Sequence, residues 1–200
     1  MPDEPGHPSV EPLADRRMSW PVVSSHDLHR DDWVVALRED VITRPGHDEQ
    51  FSRISLEHPG AVVVLAVDDD ERVMCLRQYR HTSGHEFVEL PAGLRDAGDE
   101  PPVETAKREL REEVSLEAAE WQHLLTTYPS VGITSEVHHL YVARGLRAVE
   151  TDYVAEHEEA HLEVVWAPLP DLLDAVLDGR VREGPVAIAV LAYAAVQSRS

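Results

Sequence analysis

Between residues 20 and 93, short runs of apolar or alternating residues predict a series of strands. The runs are Trp20–Ser24, Asp32–Ile42, Phe51–Leu56, Ala61–Val67, Arg72–Arg80 and Phe87–Gly93. Pro45-Gly46 and Asp68–Asp70 have the composition of turns between neighbouring strands. Because Ala61–Val67 is apolar throughout, we expect that strand to be buried. The first three strands make a sheet too small to be stable alone, so we expect it to pack on something else.

A helical repeat of apolar positions begins at Val103. On a helical wheel, Ala106, Leu110 and Val114 lie within about 60° of Val103 and form one apolar stripe. Beyond it the pattern predicts the strands Trp121–Tyr128, Val137–Ala143 and Leu162–Trp166 and the helices Pro170–Asp178 and Pro185–Gln197. The last helix is apolar and is expected to close the core. Strands and helices that alternate in this way predict an α/β (α+β) domain.

The length of 200 residues suits one domain with a small accessory sheet. We expect residues 1–17 to be a disordered tail, because this segment is acidic and rich in proline. It has no apolar core of the kind found in signal peptides. Residues 18–58 are predicted to form the small antiparallel sheet, and residues 59–200 the main domain.

The formal charge of −20 argues against binding to nucleic acid or to an anionic membrane, since both require a basic surface. A phosphate-bearing substrate remains compatible, because a bound cation can dominate the local field. The single cysteine, Cys75, excludes an intramolecular disulfide and a cysteine-rich zinc site, so we expect a cytoplasmic protein. No stretch approaches the roughly 18 apolar residues of a membrane span.

Three glutamates crowd one face of the helix that begins near Val103. Glu109, Glu112 and Glu113 share an arc of about 100° beside the apolar stripe. Like-charge pairs at this spacing cost roughly 0.2–0.5 kcal/mol each in a bare helix. A divalent cation would reverse that cost, because Mg²⁺ and Mn²⁺ prefer carboxylate oxygens and keep positions open for phosphate and water. The alternative interpretation is an acidic face that is simply solvated.

The residues around this face resemble the signature of a known family. Gly93, Glu100, Arg108-Glu109-Leu110, Glu112-Glu113 and Leu116 are similar to the Nudix box. The first spacer is six residues rather than five, and the extra residue lies in a loop where an insertion costs little. Ser115 stands where the family usually has glycine, so this helix end lacks a residue that adopts the left-handed conformation without strain.

Further motifs resemble the ADP-ribose pyrophosphatase branch of the Nudix hydrolases. They are Gln78-Tyr79-Arg80, Glu89–Gly93 and the three-strand segment at the N-terminus, and the resemblance runs from about residue 18 to the C-terminus. It implies a Nudix-type mixed β-sheet sandwiched between helices. It also implies hydrolysis of ADP-ribose to AMP and ribose 5-phosphate, with Mg²⁺ as the cofactor and Mn²⁺ as an alternative. A homodimer that forms through the N-terminal sheet is expected as well.

The same resemblance assigns roles within the box. The implied cation ligands are Glu109, Glu112, Glu113 and the backbone carbonyl of Ala92. The resemblance also implies that Arg108 and Glu112 take part in catalysis. Glu100 is expected to pair with Arg108 and, together with Gly93, to have a structural role.

Hydrolysis of a pyrophosphate needs a base beside the metal. Metal ions neutralise the phosphate charge and lower the pKa of bound water, and a separate carboxylate that takes the remaining proton contributes a factor of about 10²–10⁴. Glu136 is the candidate base, because its loop, Gly132–Glu136, resembles the loop that carries the base in this branch. The alternatives are that Glu136 is an ordinary surface acid, or that Glu158 or Glu159 supplies the base or an extra metal contact. In this branch a proline often precedes the loop glycine, whereas here Val131 does, which leaves the choice of substrate open.

Substrate contacts are predicted from residue types. Arg80, and then Arg77, are candidate phosphate partners, because a guanidinium matches phosphate in a bidentate way. Their spacing of three along a strand lets only one of them face the site. Trp33 or Tyr79 is a candidate to stack on adenine, with plain packing as the alternative, and Glu89 a candidate to bind ribose hydroxyls. No histidine is assigned a role.

Two other functions stay open at this stage. One keeps the reaction and changes the substrate to another nucleoside diphosphate sugar, such as GDP-mannose. The other is a non-catalytic Nudix-like ligand sensor. Such proteins usually lose carboxylates of the box, whereas this chain keeps all of them, and its acidic charge opposes an added DNA-binding role.

Overall fold

The computed structural model describes residues 13–32, 35–153 and 161–199. The strands are β1 Val22–His29, β2 Ala36–Thr43, β3 Gln50–Glu57, β4 Ala61–Ala66, β5 Arg72–Arg80, β6 His85–Glu89, β7 Ala92–Leu94, β8 Leu116–Thr127, β9 His138–Ala148 and β10 Glu163–Pro168. The helices are α1 Pro102–Val114, α2 Leu169–Leu177 and α3 Gly184–Gln197. The strands form three sheets with the orders β1-β2-β3, β10-β5-β6 and β7-β4-β9-β8. The last sheet is mixed, because β4 pairs in parallel with β9 and antiparallel with β7.

The central strand β4 is buried on both faces, as its apolar sequence predicts. Val62 and Val64 lie on the face covered by α1, where they share a core cluster with Ala106 and Leu110. Val63 and Leu65 belong to the cluster on the other face, to which α2 and α3 contribute. Each fully buried side chain of this size contributes about 1.5–3 kcal/mol to folding. The α/β (α+β) class, with a mixed sheet between helices, is confirmed.

Several strand boundaries differ from the sequence prediction, and two of the differences have a clear physical cause. The expected strand Phe87–Gly93 is divided into β6 and β7, which join different sheets. Pro91 lies at the break, and its missing N–H prevents a continuous ladder. The strand expected from Trp121 begins at Leu116, directly after α1. Ser115 adopts the left-handed conformation, with φ 53° and ψ 40°, and turns the chain from helix to strand at once.

The small sheet β1-β2-β3 contacts mainly itself, and all residues of β1 are exposed. Its third strand is nevertheless tied to the loop before β9. The N–H of Leu56 donates to the carbonyl of Ile133 at 2.7 Å, and the carbonyl of Leu56 accepts from Ser135 N–H at 3.2 Å and from Thr134 Oγ1 at 3.1 Å. The small sheet thus holds the loop in which sequence analysis places the candidate base.

Strand register brings separate parts of the sequence to one end of the mixed sheet. Ala61 on β4 pairs with Leu94 on β7 and with His138 on β9. Neighbouring strands lie about 5 Å apart. The start of the Nudix-like box and the loop before β9 therefore flank the first residue of β4. Among the helices of the described ranges, none has the length and apolar character needed to cross a membrane.

Candidate active site

Helix α1 presents the three glutamates at the border of the core. Pro102 occupies the first turn, where a missing N–H costs nothing, and Thr105, Ala106 and Leu110 are buried beneath the helix. This burial fixes the rotation of the helix. The neighbouring arc, which carries Glu109, Glu112 and Glu113, is half-buried along the edge of the mixed sheet.

Strand β7 packs directly against these glutamates. The N–H of Ala92 donates to Glu113 Oε2 at 2.9 Å. A Cβ added to Gly93 would lie 2.5 Å from Glu109 Cγ and closer still to its carboxyl group. The glycine thus makes room for the side chain of Glu109, which is only 12% exposed. The Ala92-Gly93 segment thus lies against the carboxylates of α1, and carboxylate oxygen is the ligand type that Mg²⁺ prefers.

Arg108 lies between two of the carboxylates. Its Nη1 is 2.8 Å from Glu109 Oε1 and 3.2 Å from Glu112 Oε2, and its Nη2 is 3.7 Å from Asp96 Oδ1. The nearby carboxylates raise the pKa of Arg108 although burial opposes them. Within the ranges that the structure describes, no three His, Cys, Asp or Glu side chains converge as a ready-made cation cage. Arg108 instead neutralises part of the acidic charge.

The expected pair of Glu100 with Arg108 is wrong. Glu100 Oε2 accepts a hydrogen bond from the buried hydroxyl of Thr105 at 2.8 Å, and the carbonyl of Glu100 accepts from Arg95 at 3.4 Å. Arg108 has nearer carboxylates on its own helix. Glu100 therefore connects the loop before α1 to the first turn of the helix through Thr105.

Arg80 and Glu89, two of the predicted substrate residues, bind each other. Arg80 Nε donates to Glu89 Oε1 at 2.9 Å and Nη2 donates to Oε2 at 2.6 Å, which makes a bidentate pair. Glu89 is buried, whereas the side chain of Arg80 is about half exposed. The hydrogen bond with Glu89 raises the pKa of Arg80, and the charge of Glu113 acts in the same direction. Arg80 thus lies within electrostatic reach of the glutamate face and lines a cleft of about 300 Å³.

The other predicted substrate residues are more distant or lie outside the description. Arg77 turns to Glu163 on the neighbouring strand β10, with 3.8 Å between Nε and Oε2. Tyr79 is half exposed and makes an edge contact with His81. Trp33, Glu158 and Glu159 lie outside the described residues.

Glu136 lies in the loop that Leu56 holds, and its side chain is 23% exposed. Its N–H donates to Thr134 Oγ1 at 3.1 Å. Its Oε1 is 2.8 Å from Nε2 of His138 and 3.7 Å from Nε2 of His58. Two histidines that were assigned no role from the sequence therefore flank the candidate base.

Glu183 is another residue that sequence analysis missed. Its carboxylate accepts from Val186 N–H at 2.8 Å and so caps the N-terminus of α3. Burial raises the pKa of Glu183 to about 7, and the nearby charge of Glu89 acts in the same direction. An acidic residue directly before Gly184-Pro185 is a sequence pattern that could have indicated the start of a helix.

The fold and this glutamate-bearing helix define a class of protein. Residues 57–187 match the family description "NUDIX domain", and the chain belongs to the NUDIX family. The chain is 41% identical to an ADP-ribose pyrophosphatase of Mycobacterium tuberculosis over 174 residues, which is 87% of this chain and 83% of the relative. It is 31% identical to a GDP-mannose pyrophosphatase of Klebsiella pneumoniae over 135 residues, 64% of this chain and 67% of the relative.

A solved structure shares the architecture. The crystal structure of an ADP compounds hydrolase aligns with a TM-score of 0.76 at 18% sequence identity. The alignment covers 92% of this chain and 97% of that chain. At this identity the likeness shows the fold alone.

Proposed function

We propose that this protein hydrolyses the pyrophosphate bond of ADP-ribose to AMP and ribose 5-phosphate with Mg²⁺. The observation that carries the proposal is the glutamate face of α1, packed on Gly93 and Ala92 in a chain that is 41% identical to an ADP-ribose pyrophosphatase. The second relative, a GDP-mannose pyrophosphatase, is less similar over a smaller part of the chain. ADP-ribose is therefore the favoured substrate.

Glu109, Glu112, Glu113 and the carbonyl of Ala92 would hold the cation. When bound, Mg²⁺ or Mn²⁺ supplies positive charge that offsets the phosphate oxygens and acidifies a bound water. Arg108 already bridges Glu109 and Glu112. Its guanidinium limits repulsion between these two carboxylates before a cation arrives.

Arg80 is the proposed phosphate partner. Glu89 orients its guanidinium through two hydrogen bonds, and the charge of Glu113 also raises the pKa of Arg80. Nη1 takes no part in either hydrogen bond to Glu89, so an N–H donor remains for a phosphate oxygen. Glu89 therefore supports the substrate mainly through Arg80. Arg77 and Tyr79 are weaker candidates, because Arg77 faces Glu163 and Tyr79 lies exposed beside His81.

Glu136 is the proposed general base. A half-buried carboxylate on a loop fixed by backbone hydrogen bonds is suited to take a proton from water at a defined point. Loss of that function in Glu136→Gln should reduce kcat by about 10²–10⁴. Retention of wild-type turnover would remove Glu136 from the mechanism.

The proposal is tested by incubating the protein with Mg²⁺ and a panel of nucleoside diphosphate compounds and identifying the products. AMP and ribose 5-phosphate support it, whereas GMP and mannose 1-phosphate would shift the assignment to a GDP-mannose hydrolase. No turnover with Mg²⁺ or Mn²⁺ would favour a ligand sensor. Glu112→Gln should abolish most of the activity, while the matched control Glu104→Gln, an exposed acid of the same helix that pairs with Lys107, should leave it intact.

We also propose that residues 18–58 form a dimerisation unit beside a catalytic domain of residues 59–200, in a cytoplasmic homodimer. The small sheet carries exposed apolar side chains at Val22, Val23, Leu28 and Ile54, and nothing in the described part of the chain covers β1. A second copy is the occupant that would bury them. Light scattering at micromolar concentration should give twice the chain mass, and a monomer would contradict the assembly.

A further inference from the structure

The carboxylate of Glu136 is flanked by two imidazoles that come from distant parts of the chain. His138 opens β9, and His58 lies in the short segment between β3 and β4. Both Nε2 atoms approach the same oxygen, Oε1, at 2.8 Å and 3.7 Å. Both rings are largely buried, with 9% and 12% of the side chains exposed.

The hydrogen bonds of His58 assign its tautomer. The N–H of Gly60 donates to His58 Nδ1 at 3.1 Å, so Nδ1 carries a lone pair and the neutral ring has its proton on Nε2. That proton faces Glu136. Burial lowers the pKa of His58, which favours the neutral ring. The same contact opposes a metal ion between the two rings, because Nε2 cannot both carry the proton and offer a lone pair.

His138 reaches Glu136 through the shorter contact. At 2.8 Å its Nε2 donates to Oε1, whereas its Nδ1 is buried and has no hydrogen-bond partner among the described residues. A proton on that buried Nδ1 would lack an acceptor and cost free energy, so the arrangement favours the tautomer with Nε2–H. His138 thus donates a hydrogen bond to Oε1, and the N–H of His58 approaches the same oxygen in a longer electrostatic contact of 3.7 Å.

We propose that His58 and His138 are positioning residues for Glu136. The hydrogen bond from His138 holds Oε1, the N–H of His58 adds a longer electrostatic contact, and Oε2 is left for the attacking water. Oε2 then takes one proton from that water as the water oxygen forms a bond to phosphorus. The bridging P–O bond breaks, and its electron pair leaves with the oxygen of the departing phosphate. No hydrogen bond from the described residues reaches Oε2, so this atom is available for the task. The inference rests on the proposed function, in which Glu136 is the base.

The test is a double-mutant cycle with ADP-ribose and Mg²⁺. His138→Leu should lower kcat about tenfold, the value of one hydrogen bond to a charged group, with KM unchanged within about twofold. His138→Gln keeps an N–H donor and should restore most of the rate. In the Glu136→Gln background, His138→Leu should cause no further loss. His139→Leu is the matched control, because that ring contacts Thr126 rather than Glu136.

An equal fractional loss in both backgrounds would overturn the inference, since it would show that His138 acts independently of Glu136. A second measurement, proton NMR, does not depend on turnover. It also tests the inference if His138→Leu fails to fold. The Nε2–H proton resonances of His58 and His138 should be shifted downfield and should move upfield in Glu136→Gln. Resonances that do not respond would contradict the contacts. If the wild-type protein lacks turnover while the resonances respond, the fault lies with the proposed function.

Discussion

Replacing Gly93 with alanine should move Glu109 away from the place where a cation would bind. The backbone of Gly93 has an ordinary φ, so alanine introduces no backbone strain there. The added Cβ would lie 2.5 Å from Glu109 Cγ, whereas ordinary contact begins at 3.4 Å. Glu109 Cγ therefore has to withdraw by about 0.9 Å, and its carboxyl group, which would lie even closer, has to move further.

That displacement is large for a metal ligand. Ligand distances in metal sites hold to about 0.2 Å, and a misplacement of about 1 Å at a reacting centre costs about 10²-fold in rate. We therefore expect Gly93→Ala to lower kcat/KM for ADP-ribose by about 100-fold, equivalent to about 2.7 kcal/mol of transition-state stabilisation. The Mg²⁺ concentration needed for half-maximal activity should rise as well.

The assay is steady-state hydrolysis of ADP-ribose over a Mg²⁺ titration, with the melting temperature measured in parallel. Gly132→Ala is the control, since the same methyl group there meets nothing within 4 Å and the backbone is also ordinary. It should keep the wild-type rate and Mg²⁺ dependence. If Gly93→Ala keeps kcat/KM within threefold with an unchanged Mg²⁺ requirement, Glu109 is not a ligand that matters to the reaction.

Two further predictions concern stability. Ser115→Gly should raise the free energy of unfolding by about 0.5–1 kcal/mol, because Ser115 adopts φ 53° and ψ 40°, where glycine has no Cβ penalty. Urea denaturation measures this change. A loss of stability would show that the backbone of Ser115 is not strained. Burial raises the pKa of Glu183 from 4.5 to about 7, so the folded protein keeps a proton that the unfolded chain releases between these values. The free energy of unfolding should therefore decline as the pH rises from about 4.5 through about 7. In Glu183→Gln this pH-dependent decline should be absent. Denaturation of both proteins at several pH values measures it, and the same pH dependence of the free energy of unfolding in the two proteins would contradict the prediction.

The sequence predicted the elements whose signal is local. The apolar stripe from Val103 to Val114 gave helix α1 nearly to the residue, because burial of one helix face imposes a fixed period. The continuous run in β4 predicted a strand covered on both sides. The start of β8 was missed, because a left-handed serine reverses the chain as abruptly as a glycine would.

The partners of charged side chains were harder to predict. Arg108 had several carboxylates within reach, and only the folded rotation of α1 selects Glu109 and Glu112 over Glu100. The contacts of Glu136 with His58 and His138 could not be predicted either. His58 is distant in sequence, and the alternation along a strand predicts only the face of the sheet on which the His138 ring lies. Tertiary register, set by pairing of β4 with β9, decides these contacts.

The attachment of one residue, Leu56, to the loop before β9 couples the small sheet to the position of Glu136, the proposed base. The peptide groups of Leu56 engage Ile133, Thr134 and Ser135, and the chain enters that sheet through β1, the strand most open to a neighbour. A molecule that binds β1 would thereby change the mobility and orientation of the Glu136 side chain without contacting the diphosphate substrate. Shortening the chain from its N-terminus through β3 would slow turnover yet spare cation uptake at α1.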